Sequence, residues 1–289
     1  CSISTTPSAP EPSSLNVVQP SATKNAASPI IETVWPDQRR RKSRLAKACR
    51  TGSRIAIGQS YPLAVLRAVL FDVDFTISRP GPELHGGDGY RRAGERYGLA
   101  LDASRYEAAR EAAILALKRH PDLDHDDELW VEFTLGIVNG MGGEGDAAYA
   151  CAAELVRSWE HHENFDLYED ALPALADLRG RGLLLGLVSN TARDLEEFVA
   201  HHGIAVDAVV GSREHGKTKP HPSIFESALD LLGVGPAEAV MVGDSIEDDI
   251  EGARALGIRA VLLDRDGRHP EVEDRIESLA ALPAALGLD

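Results

Sequence analysis

Five short apolar runs constrain this chain more than any other feature: residues 68–71, 183–188, 208–210, 239–242 and 260–263. They are short for helices and lack the polar alternation of half-exposed strands, so they read as strands covered on both faces. Helical patterns lie between the last four, at 194–202, 222–232 and 249–256. Such alternation predicts an α/β fold, a Rossmann-like parallel sheet with helices on both faces.

The first gap is different. Residues 72–182 hold helical patterns near 104–119, 127–138 and 145–160 and little that reads as strand. A helical subdomain inserted after the first strand is therefore expected over residues 82–165. Segments 66–81 and 166–289 are then left to form the α/β core. Residues 1–60 differ again: a Ser/Pro-rich, aperiodic leader with a basic run at 38–50 reads as disordered.

Charge narrows the partners. The first 60 residues carry nine Lys/Arg against three Asp/Glu, the remainder 21 against 43, and the whole chain has a net charge of -16. A folded part this acidic repels nucleic acid, so no nucleic-acid partner is expected. No run approaches the roughly 18 apolar residues of a spanning helix, and no membrane partner is expected. Three cysteines make no disulfide framework, which suits a reducing, cytoplasmic location.

In an open α/β sheet, ligands bind beyond the carboxyl ends of the strands. Asp72, Asp74 and Thr76 follow the first run, Ser189 and Asn190 the second, Lys219 the loop after the third, and Asp244, Asp248 and Asp249 the fourth. All four loops fall on one edge. Carboxylates converging there repel unless a cation sits among them, and hard oxygen ligands of this kind suit Mg²⁺. With a lysine and small donors beside a carboxylate nucleophile, the set points to phosphoryl transfer.

As a set, these motifs resemble the haloacid dehalogenase-like hydrolase superfamily. Asp72-Val73-Asp74-Phe75-Thr76 is similar to its first motif, Ser189-Asn190 to the second, Lys219-Pro220 to the third, and Gly243-Asp244-Ser245 with Asp248-Asp249 to the fourth. The resemblance spans about residues 67–270, and the insertion between the first two motifs is similar to the family's C1-type cap. It implies that Asp72 is the nucleophile, forming an aspartyl-phosphate, and that Asp74 is the general acid and base. Mg²⁺ would bind the side chains of Asp72 and Asp244 and the main-chain carbonyl of Asp74, with Asp249 at the metal or behind it and Asp248 a rival for that position. Ser189, Asn190 and Lys219 would bind the phosphoryl group, and Thr76 would orient Asp72. A carboxylate at Asp74 argues against dehalogenation and for hydrolysis of a small phosphorylated metabolite, such as a sugar phosphate, phosphoglycolate or a nucleoside monophosphate. Phe75 departs from the pattern, because the family usually has glycine there.

Other readings remain at this stage. A phosphotransferase or mutase on the same scaffold would use the same residues. Residues 211–218 match the P-loop pattern of a nucleotide-binding protein, although Pro220 and Pro222 follow where a helix should start. A non-catalytic interaction module with a basic arm is the third. Residues 122–126 imitate the start of a calcium loop but lack its sixth-position glycine and twelfth-position glutamate. The oligomeric state is not legible.

Overall fold

The computed structural model describes residues 65–117 and 119–288; the leader and basic run expected over 1–60 lie outside the described residues. Strand β1 (Ala68–Phe71) leads through β2 (Ser78–Pro80) into four helices, α1 (Gly86–Arg96), α2 (Tyr106–Ala116), α3 (Asp127–Gly140) and α4 (Gly145–Ser158). Strand β3 (Phe165–Leu167) then pairs antiparallel with β2, Ser78 opposite Leu167. After it come α5 (Ala171–Gly180), β4 (Leu184–Ser189), α6 (Leu195–His202), β5 (Ala208–Gly211), the short α7 (Ser212–His215) and α8 (Pro222–Leu232). The chain continues with β6 (Ala239–Gly243), a π-helical turn (Ile246–Glu251), α9 (Gly252–Ala255), β7 (Arg259–Leu263), β8 (Arg275–Ile276) and α10 (Leu282–Leu286).

Six strands form one parallel sheet in the order β5-β4-β1-β6-β7-β8. All four residues of β1 are buried, as a central strand covered on both faces requires. Successive side chains point to opposite faces. Val69 and Phe71 pack with Leu185, Leu187, Val240 and Val242 under α5, α6 and α10. Ala68 and Leu70 pack with Val188, Met241 and Ala260 under α8 and α9. The α/β sheet with helices on both faces is thus as the strand pattern predicts.

The helices α1 to α4 bury a separate cluster, built on Tyr90, Tyr106, Ile137, Val138, Met141 and Leu155, with Cys151 inside it. Helix α1 gave no sequence signal because Gly86, Gly87, Gly89 and Gly94 disfavour helix. Two of these glycines serve close packing: a Cβ at Gly87 would lie 2.1 Å from the Ala103 carbonyl oxygen, and one at Gly94 2.7 Å from Leu101. The helix expected over 249–256 is instead the π-helical turn followed by four residues of α9.

Candidate active site

The carboxyl ends of β1, β4 and β6 lie side by side because these strands are neighbours in register, Phe71 opposite both Leu187 and Val242. Asp72 therefore emerges between the loops that carry Ser189 and Asp244. Carboxylate oxygens of Asp72, Asp244 and Asp249 all lie within 4.8 Å of one another. Glycine makes that approach possible, since a Cβ at Gly243 would sit 2.2 Å from Asp249 Oδ2. The Ser245 amide donates to the same oxygen at 3.1 Å.

Lys219 crosses the cluster from the loop after β5. Its ammonium is buried and donates to Asp72 Oδ1 at 2.5 Å and to Asp249 Oδ1 at 2.7 Å. Asn190 fixes it there through the main chain. The Asn190 carbonyl oxygen accepts from the Lys219 amide at 2.6 Å, and its NH₂ donates to the Lys219 carbonyl at 3.1 Å. Ser189 ends β4 fully buried, and its hydroxyl has no hydrogen-bond partner in the protein. A buried, unsatisfied hydroxyl next in sequence to the Asn190 that fixes Lys219 fits an oxyanion ligand.

Electrostatics reflect this crowding. Burial pushes Asp72 up to about 7, with Asp249 adding to the rise and Lys219 opposing it. Burial raises Asp244 well above the carboxylate range, reinforced by Asp72 and Asp249. Burial likewise raises Asp249 against the pull of Lys219. The Lys219 ammonium is held charged by its two carboxylates against the cost of its own burial. Two buried acids, the half-buried Asp244 and one lysine leave an excess of negative charge, and an all-oxygen donor set of this kind fits a hard divalent cation.

The structure separates Asp248 from Asp249. Asp248 receives a two-pronged ion pair from Arg119, which also donates to the Lys219 carbonyl at 3.2 Å. Asp249 is the one that joins the Asp72 cluster. Asp74 stands apart from that cluster: its carboxylate pairs with Arg193 and accepts from the Ser78 hydroxyl at 3.5 Å. Thr76 is buried, and no hydrogen bond links its hydroxyl to Asp72. Phe75 adopts φ 62, the left-handed conformation that glycine tolerates best.

Sequence reasoning missed Arg193 and Arg119. Arg193 is 2% exposed, its guanidinium carbon 3.6 Å from the Phe165 ring centroid. Its position four residues after Ser189 was a usable signal; Arg119, in the loop after α2, gives none. The P-loop look-alike is used otherwise: α7 interrupts it, and Lys217 pairs with Asp124 and donates to the Asp122 carbonyl at 2.9 Å.

With this geometry in view, the chain's relatives fall into one class. The family model for haloacid dehalogenase-like hydrolases matches residues 66–257, and the chain belongs to that family. Among similar proteins, a glyceraldehyde 3-phosphate phosphatase of Methanopyrus kandleri is 31% identical over 73% of this chain and 89% of its own length. A phosphoserine phosphatase of Thermus thermophilus is 40% identical, over 44% of this chain and 53% of the relative. A crystal structure of a haloacid dehalogenase-type phosphatase from Thermococcus onnurineus is similar at TM-score 0.54 and 27% identity, over 78% of this chain and 99% of that one. The protein is thus a hydrolase of the haloacid dehalogenase-like kind. Among the described residues, no helix is long and apolar enough to cross a membrane.

Proposed function

We propose that this protein is a Mg²⁺-dependent phosphatase that hydrolyses a small phosphorylated metabolite in the cytoplasm through an aspartyl-phosphate on Asp72. The observation that carries this reading is the group at the strand ends: buried Lys219 bridging buried Asp72 and Asp249, half-buried Asp244 beside them, and the unpaired Ser189 hydroxyl. The phosphatase names of the relatives support it.

In the first step, Asp72 attacks phosphorus as the bond to the leaving oxygen breaks, and Asp74 delivers a proton to that oxygen. To do so, Asp74 must first take up a proton and exchange Arg193 for the leaving group. In the second step, Asp74 takes a proton from water, and the water oxygen displaces Asp72 from phosphorus. Lys219 and the Ser189 hydroxyl face the transferring oxygens and offset their charge. Asn190 acts by holding Lys219 in place. The Asp72 and Asp244 side chains and the Asp74 carbonyl would hold Mg²⁺, with Asp249 in support; its chemistry there is neutralisation of phosphoryl charge. The helices of 82–165 serve as a C1-type cap, which chooses the leaving group and excludes water.

The test is phosphate release from a panel of phosphate esters with Mg²⁺, comparing wild type, Asp72→Asn and Lys217→Ala. Turnover should need the metal, fall by at least about 10³-fold in Asp72→Asn and persist in Lys217→Ala. Activity surviving in Asp72→Asn contradicts the assignment, and loss confined to Lys217→Ala favours the P-loop reading.

A further inference from the structure

Above Asp72 and Asp74 lies a cavity of about 310 Å³, within the roughly 300–1,000 Å³ range of small-molecule sites. Its lining is rich in aromatic rings: Phe75, Tyr106, Trp130, Phe133, Trp159 and Phe165 all border it. Among the described residues, the helical segment and its flanking strands contribute no Asp, Glu, Asn, Gln, Ser or Thr to this lining. That absence carries chemical information. A sugar needs acceptors and amides for its hydroxyls, and an amino acid needs a carboxylate for its ammonium. Leaving such groups unpaired against an apolar wall is costly.

What the wall does supply, besides the phenol hydroxyls of Tyr90 and Tyr106, is a cation and N–H donors. Arg110 reaches the cavity from α2, its guanidinium carbon 5.8 Å from the Phe75 ring centroid. Among the described residues Arg110 makes no hydrogen bond or ion pair, whereas Arg119 beside it is committed to Asp248. The Trp159 indole N–H is buried without an acceptor. The His85 ring lies tilted with its centroid 5.5 Å from that of Phe75, and burial and Arg110 lower its pKa, so the ring adds no second charge.

Resting on the phosphatase reading above, we propose that the substrate is a phosphate monoester of an apolar, ring-bearing alcohol with an anionic or acceptor group, typically a carboxylate, at the end remote from phosphorus. The ring fills the aromatic cavity and the remote group pairs with Arg110. Sugar phosphates and phosphoserine are poor substrates on this account, although phosphatases of such compounds are among the relatives.

The test compares kcat/KM for four esters of alcohols: benzyl phosphate, 4-carboxybenzyl phosphate, ribose 5-phosphate and O-phosphoserine, in wild type, Arg110→Met, Trp130→Ala and Asp72→Asn. Benzyl phosphate should exceed the two polar esters by about 100-fold. The carboxylate should add about a further tenfold. Arg110→Met should shrink the carboxybenzyl-to-benzyl ratio to about threefold or less, and Trp130→Ala should lower both benzyl esters by a larger factor than the polar ones. Calorimetric binding of benzylphosphonate to Asp72→Asn, tighter than that of methylphosphonate, gives the same answer without turnover. If ribose 5-phosphate or phosphoserine is preferred and Asp72→Asn abolishes its cleavage, the substrate class is wrong and the phosphatase reading survives. If wild type cleaves none of the esters with any divalent metal, both fall.

Discussion

At the scale of single residues, the active-site loop after β1 bends through Phe75 at φ 62. A left-handed conformation costs a side-chain-bearing residue roughly 1–2 kcal/mol. The ring offsets that cost through its neighbours, His85 at 5.5 Å among them. Phe75→Ala removes the ring and keeps the backbone cost, whereas Phe75→Gly removes both. Glycine should therefore be more stable than alanine here by about 1 kcal/mol in urea unfolding, and equal stability would contradict the strain. Residue-level chemistry was legible where it followed a strand: Asp72, Ser189, Lys219 and Asp244 stand in loops after strands, and the fold gathers Asp72, Lys219 and Asp244 with Asp249. Arg193 was not, because its partner Asp74 lies 119 positions away, and an arginine in a loop reads as solvated. Nor could the sequence divide Asp248 from Asp249. That division depends on Arg119, 129 positions from Asp248.

The elements explain why the carboxylates tolerate one another. Parallel neighbours β1, β4 and β6 deliver their loops to one edge, and the π-helical turn after Asp244 brings Asp249 back over Gly243. The strands were readable as continuous apolar runs, which burial on both faces demands. The turn was not, since its residues Ile246–Glu251 look like an ordinary helix start. Three acids forced together have a thermodynamic sign. Asp72 rises from 3.8 to about 7 on folding, and Asp244 and Asp249 rise too. A carboxyl with a raised folded pKa binds protons more tightly in the fold. It therefore favours the fold at low pH, and that contribution is lost as pH climbs through the folded value. Cation binding needs the ionised acids. The rise in Tm on adding Mg²⁺ should thus be larger at about pH 8 than at about pH 5. An equal rise at both would argue that the metal binds elsewhere.

For the whole molecule, the helices α1 to α4 have their own buried cluster and meet the sheet above its reactive edge. Arg119 ties the two together through Asp248 and the Lys219 carbonyl. Arg119→Ala should lower unfolding stability by about 1–2 kcal/mol and raise KM, because the same contact steadies the loop that carries Lys219. No change in either would mean that the pair is idle. The helical patterns near 104–119, 127–138 and 145–160 correspond to α2, α3 and α4, but the β2–β3 ribbon that flanks the helices and their closeness to Asp72 were not legible, since periodicity fixes a buried face and not its neighbour. The central claim is that Asp72 carries the phosphoryl group. The direct measurement is acid quench during turnover, reduction with borohydride, and peptide mass spectrometry, since an acyl phosphate is reduced to the alcohol. Homoserine at position 72, absent without substrate or metal, is the expected result. Alcohol release with no modification at Asp72, or modification at another residue, would contradict it.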